Sequence, residues 1–184
     1  KSREDGVSVT VCINDGDTHN SPTEQLESKY PVLVESYSIR EDSSGAGRQR
    51  GGLGAEMVVQ ALSPFSVTTR IDRVHCKPWG LEGGGEAAGN GIAIRKKGEW
   101  DSSMPNAKIF NVRLARGDAY KMQSGGGGGF GLPVERDAAL VAHDVREGYV
   151  SKDVASKVYG VAMTSAGEVD EPATASLRKN LAKA

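Results

Sequence analysis

Asp17 and His19 head the residues whose types could do chemistry. They lie in Asn14-Asp15-Gly16-Asp17-Thr18-His19-Asn20, where two carboxylates and an imidazole crowd into one short stretch. Such a set could hold a divalent cation or move protons. The spacing excludes an EF-hand loop, because the glycine and the closing glutamate that loop needs are not in place. A plain turn, with Asp and Asn side chains capping backbone N–H groups, accounts for the stretch equally simply. The run from Gly45 to Gly54, GAGRQRGGLG, is a second constellation. Its glycines would let backbone N–H groups approach an anion, and Arg48 and Arg50, with Arg40 nearby, would pair with carboxylate or phosphate. No GK[ST] follows, so it is not a Walker A loop, and no strand-to-helix context makes it a dinucleotide fingerprint. A tightly turning connector remains the alternative.

Arg70, Arg73, His75 and Cys76, followed by Pro78-Trp79-Gly80, form a third group. Adjacent His and Cys could be soft-metal ligands, but a structural zinc needs four, and two more at usable spacing are missing. Trp79 is expected to anchor its loop to a surface. The fourth feature is Gly125 to Gly129, five glycines in a row. They can form neither a stable helix nor a packed strand interior. They could bring backbone close to a substrate or partner chain, or act as a hinge. His143, beside Asp144 on an expected helix, reads as a surface histidine. No Ser-His-Asp pattern, HExxH or CxxC occurs, so the sequence offers contact sites without a complete catalytic set.

Short strands must position these loops. β-Branched and alternating stretches predict strands at Val7–Ile13, Pro31–Arg40, Glu56–Ala61, Phe65–Val74, Gly91–Lys97, Lys108–Leu114 and Asp118–Met122. A helical turn can start at Thr23 and must stop at Pro31. After the polyglycine run the pattern turns helical, at Arg136–Val145, from Ser151 as a cap to Tyr159, and at Glu171–Ala184. The expected fold is mainly β, a sandwich or barrel-like body of six to seven short strands (residues 1–133), with a short α-helical C-terminal appendage (134–184).

Composition narrows the function classes. With 23 Lys plus Arg against 24 Asp plus Glu, the net charge is −1, which gives no reason to expect nucleic acid or an anionic membrane as partner. The apolar runs fall far short of the ~20 residues of a membrane helix, and no secretory signal is present. Cys12 and Cys76, without CxxC spacing, predict reduced, buried thiols and a cytoplasmic location. Glycine, at 24 of 184 residues, stands well above the usual ~7%. The start at Lys1-Ser2-Arg3, without an initiator Met, suggests a piece of a longer polypeptide.

Stretches across nearly the whole chain resemble, in order, the C-terminal part of the hydantoinase B/oxoprolinase family. They are Asn20-Ser21-Pro22-Thr23-Glu24 through Tyr30-Pro31, Ser43 to Gly54, Pro78 to Gly84, and Gly126 to Pro133, then Arg136-Asp137, Asp144-Val145, Gly148 to Ser151, and Tyr159-Gly160-Val161. The resemblance implies an enzyme complex with a hydantoinase A-type subunit that uses ATP with Mg. It implies ring-opening amidohydrolysis, as in hydantoinases and 5-oxoprolinase, or biotin-independent carboxylation of ketones such as acetone and acetophenone. In either case ATP would activate an oxygen as a phosphorylated intermediate. The family's metal-binding His and Asp residues are expected in an N-terminal remainder that this sequence lacks, so no cofactor or metal is assigned to this chain, which alone should be inactive. Gly125–Gly131 and the Asp-Gly-Asp segment resemble the carboxylase branch, which is therefore the first expectation, with the amidohydrolase and a non-catalytic assembly module as alternatives. Asp17, His19, Arg48, Arg50, Arg70 and His75 are the candidates for contacting an anionic substrate or intermediate.

Overall fold

In the computed structural model, residues 4–10, 21–104 and 106–181 are described. The expected elements are α1 (Thr23–Lys29), β1 (Val32–Ile39), β2 (Ala55–Ala61), β3 (Phe65–Arg70), β4 (Gly91–Lys96), β6 (Lys108–Leu114), β7 (Ala119–Gln123), α2 (Ala138–Arg146), α3 (Lys152–Lys157) and α4 (Glu171–Leu181). Strand β5 (Glu99–Asp101) was not anticipated. It folds back on β4 through Lys97-Gly98, both at positive φ (52° and 88°), which is the two-residue turn that suits the twist of a hairpin. Lys-Gly signals such a turn less loudly than Asn-Gly does.

Five strands form one antiparallel sheet in the order β1-β2-β7-β4-β5, and β3 pairs with β6 as a separate ribbon. The body is thus two packed antiparallel layers and not a closed barrel. Register decides what is buried. Val34, Val59, Tyr120 and Ile94 stand in one row across the sheet. The ribbon packs Val67 and Leu114 against Ile92, Ile94 and Ala61, closing the core of this half. The opposite face carries ion pairs beside the buried Val58 and Ala93: Glu35 pairs with Arg95, Glu56 with Lys121, and the Trp100 ring lies 5.2 Å from each of those two cations.

Two expectations about strands are corrected. Over Val7–Thr10, the described part of Val7–Ile13, the chain is not strand: Ser8-Val9 turn, and Val9 sits at φ 54°. The β3 strand stops at Arg70 because Ile71 to Val74 leave the ribbon and Arg73 adopts φ 56°.

The helices pack as sequence spacing suggested. Asp137 caps α2 by accepting from Ala139 N–H (2.9 Å), and Ser151 caps α3 by accepting from Val154 N–H (3.2 Å). Val141, Val150, Ala155, Tyr159 and Val161 form a second small core between them. Among the described residues no helix is long and apolar enough to cross a membrane. Cys76 is free but exposed, not buried; Cys12 lies outside the described residues.

The glycine runs are neither hinge nor slack loop. Segments 43–54, 78–89 and 124–131 lie side by side, extended and cross-linked through their backbones. Gly45 N–H donates to Gly127 O, Gly127 N–H to Gly52 O, Gly129 N–H to Gly85 O and Leu81 N–H to Gly129 O, all within 2.8–3.0 Å. Gln49 and Phe130 exchange both backbone bonds at 3.0 Å. A Cβ on Gly51 would fall on the Gly127 carbonyl, and one on Gly128 on the Trp79 carbonyl, each well inside 3.0 Å of backbone that cannot yield. Gly51→Ala should therefore cost at least ~3 kcal/mol in denaturant unfolding. Gly98→Ala, with open space around its Cβ position and only a positive φ to strain, should cost about 1–2 kcal/mol.

Candidate functional site

The glycine bundle carries a cavity of about 720 Å³. One wall is extended glycine backbone, Gly51 to Gly54 and Gly125 to Gly128; the other is segment 4–10. Val7, Val9, Leu53 and Phe130 make it partly apolar, and Asp5 and Arg50 edge it with charge. A cavity of this size, apolar with few polar groups, suits a small molecule.

Behind that edge sits a buried ion cluster. Arg136, 1% exposed, forks onto Asp5: Nη1 donates to Oδ1 (2.6 Å) and Nη2 to Oδ2 (2.7 Å). Its Nη2 also donates to Asp144 Oδ2 (2.8 Å). Arg50, 6% exposed, donates through Nε to the same oxygen (3.3 Å) and through Nη1 to the Gly51 carbonyl (2.8 Å), and lies over the Tyr149 ring. The Asp5 carboxylate also accepts from Arg50 N–H (2.8 Å). Two positive and two negative groups are thus drawn from the N-terminal segment, the glycine bundle and the α2 region. Arg136 Nε is the one buried side-chain nitrogen without an acceptor among the described residues.

Electrostatics follow from this arrangement. Burial works against ionising Asp5, but hydrogen bonding and charge from Arg136, with the amide and charge of Arg50, outweigh it and hold the carboxyl below its ordinary 3.8. Burial likewise opposes the charge on Arg136, yet Asp5 and Asp144 push its pKa up. Tyr159 is pushed up to about 12, first by burial and further by Asp144, against the opposing charges of Arg136 and Arg50. It stays neutral throughout the physiological range.

The candidates from sequence do not converge. Asp17 and His19 lie outside the described residues. Arg50 is at the cavity edge, but its guanidinium is committed to Asp144 and Gly51, so in this state it is a structural partner. Arg48 is exposed and pairs with Glu135 (3.2 Å), beside a polar hollow of about 320 Å³ lined also by Glu82 and Leu132. Arg70 is exposed at the end of β3, and His75 is exposed with Nε2 3.2 Å from Asn106 Oδ1. Trp79, expected to pack its loop down, is 71% exposed, because the glycine segment it precedes is held by backbone bonds instead. His143 is exposed, as expected. No group of three or more potential metal ligands occurs among the described residues.

Sequence reasoning missed Asp5, Arg136, Asp144 and Tyr159 as a unit. The available signal was charge inside the apolar spacing of α2, where Asp144 follows Val141 and Ala142. It also missed what Arg40 does: its Nη1 donates to the carbonyls of Gly89 (2.8 Å) and Ser124 (3.2 Å), tying two bundle segments to the end of β1.

Comparison with known proteins places this arrangement. A sequence model described as hydantoinase B/oxoprolinase matches residues 1–133. The chain is 32% identical to the putative D-/L-hydantoinase B-type chain of Pseudomonas sp. (strain NS671) over 176 residues, covering 96% of the chain but 30% of that protein. It superposes on nucleotide-free acetone carboxylase with a TM-score of 0.80 and 25% identity, covering 98% of this chain and 28% of the other. Against the ATP-dependent caprolactamase from Pseudomonas jessenii the TM-score is 0.74 and the identity 28%, over 86% and 28% of the two chains. The chain therefore spans under a third of the length of these relatives.

The two arginines of the glycine run should behave differently. Arg50→Ala strips Asp144 of one buried partner and should lower unfolding stability by about 2–4 kcal/mol. Arg48→Ala, removing a half-exposed pair, should stay within about 1 kcal/mol. Acid should also act through Asp5. Its folded pKa is depressed, so its contribution is complete above the unfolded value near 3.8 and is lost as pH falls through the lower folded value. Stability curves of wild type and Asp5→Asn should accordingly run apart at pH 6 and converge in acid.

Proposed function

The chain belongs to the hydantoinase B/oxoprolinase family, and we propose that it is the C-terminal portion of a subunit of an ATP-dependent enzyme that opens a cyclic amide, of the hydantoinase type. The observation that carries this reading is the match to a hydantoinase chain of the B type at 32% identity over 96% of the chain. In this reading ATP and Mg are held by an A-type partner, and the N-terminal remainder of the same polypeptide supplies any divalent-metal ligands.

This chain's own share is positional. The glycine bundle brings backbone close to the cavity without side chains in the way, which leaves room for a flat, carbonyl-rich ring. Activating a ring amide through its oxygen creates a phosphorylated, anionic intermediate. Arg48, Arg70 and His75 are the exposed candidates for contacting such an anion: Arg48 on the bundle itself, Arg70 at the end of β3 and His75 in the loop that follows it. Arg50 acts one step back, holding the cavity edge through Asp144. Asp17 and His19 remain candidates for the same site.

Ketone carboxylation is the second reading, favoured by the TM-score of 0.80 to acetone carboxylase over 98% of the chain. There the same exposed cations would face a phosphorylated enol or activated bicarbonate.

One assay separates the two. The full-length polypeptide would be co-expressed with its A-type partner and ADP release followed with ATP plus hydantoin, and separately with ATP, bicarbonate and acetone. Hydantoin-dependent ADP release with ring opening is expected. Turnover that needs both bicarbonate and ketone, with none on hydantoin, would move the chain to the carboxylase branch. In the active complex, Arg48→Ala should lower turnover roughly ten-fold or more without loss of stability, the scale of one charge-assisted contact.

A further inference from the structure

Asp5, Gly6, Val7, Val9 and Thr10 of segment 4–10 line the 720 Å³ cavity, yet the segment belongs to no sheet. Backbone bonds hold it to the glycine bundle: Gly6 N–H donates to Arg50 O and Val9 N–H to Leu53 O, both at 2.8 Å. The Ser8 hydroxyl accepts from Leu53 N–H at 3.1 Å. Its strongest tie is Asp5, whose carboxylate takes the Arg136 fork and the Arg50 N–H. The segment also stores strain, since Val9, a β-branched residue, sits at φ 54°.

Arg136 comes from the opposite end of the sequence. It precedes α2 and is fixed from behind: Asp144 holds its guanidinium, and Arg178 of α4 donates to its carbonyl. Asp5 is thus the point at which the helical region takes hold of the segment.

From this geometry we propose that segment 4–10 is a strap over the cavity, and that Arg136 is the positioning residue that closes it by gripping Asp5. The helical region thereby controls access to a cavity whose other wall is glycine backbone. Without the grip, the backbone bonds of Gly6 and Val9 and the Ser8 hydroxyl bond are set against the release of Val9 from its strained conformation, so the strap opens locally while the sheet stays folded. The proposal stands apart from the reading of the reaction, since it concerns access to the cavity whatever binds there.

Hydrogen exchange on the full chain tests it, comparing wild type with Asp5→Asn, which is nearly isosteric and leaves Arg136 its Asp144 partner. The Gly6 and Val9 amides should exchange about ten-fold faster or more in the variant and with little dependence on added denaturant, while the Val58 and Val59 amides of central strand β2 exchange more slowly, through a strongly denaturant-dependent global opening. Unchanged exchange at Gly6 and Val9 would show that the grip does not close the strap. Exchange at Gly6 and Val9 with the same denaturant dependence as at Val58 and Val59 would show that they open only with global unfolding, and would equally overturn the proposal. Asp5→Glu, which keeps the charge but misplaces the fork, is judged by the same criterion if Asp5→Asn yields no folded protein. Failure of both to fold also decides against a separable strap.

Discussion

Extended chains can approach as closely as segments 43–54, 78–89 and 124–131 do only if nothing projects from their α-carbons. Each backbone there is met by the carbonyls of its neighbours at positions a Cβ would occupy, as at Gly45, Gly51, Gly84 and Gly128. What the glycines give up in apolar burial and backbone entropy, mutual hydrogen bonding must offset. The bundle therefore depends on its ends. Strands β1, β2 and β7 lead into or out of it, Arg40 ties it across, and the helical region closes the far side.

The buried ion cluster is the second half of that closure. Hydrophobic residues of similar volume could stabilise such an interior as well or better, so its value lies in what it specifies. Arg50 and Asp144 fix the glycine run against α2, and Tyr159, reaching the Gly47 backbone, fixes α3 to the same run. Asp5 adds the N-terminal segment. Four pieces of chain that share no sheet are thus registered to one another by directional, charge-assisted bonds.

Acetone carboxylase and caprolactamase do different chemistry, yet this chain superposes on both with TM-scores of 0.80 and 0.74. The architecture of this region is accordingly common ground, and the reaction is decided by groups placed on it and around it. That agrees with a cavity lined largely by glycine main chain.

Much of the local structure was legible in the residues. Among the described residues alternation located six of the seven strands, and Ser151 caps a helix as its side-chain oxygen suggests. The family was legible too, because its motifs lie in glycine and arginine runs with little room to vary without collision. Val7–Thr10 was misread because a β-branched run looks like a strand until a partner edge is lacking, and β5 was missed because three exposed residues carry no periodicity. The sequence alone determined that Gly125–Gly129 could be neither helix nor strand interior, since that follows from the missing Cβ. Only the tertiary structure decided that the run is a packed, hydrogen-bonded wall, and that Arg50 faces Asp144 and Arg136 faces Asp5. Those partners lie 94 and 131 residues apart, and no local propensity encodes a contact that exists only once the chain has closed.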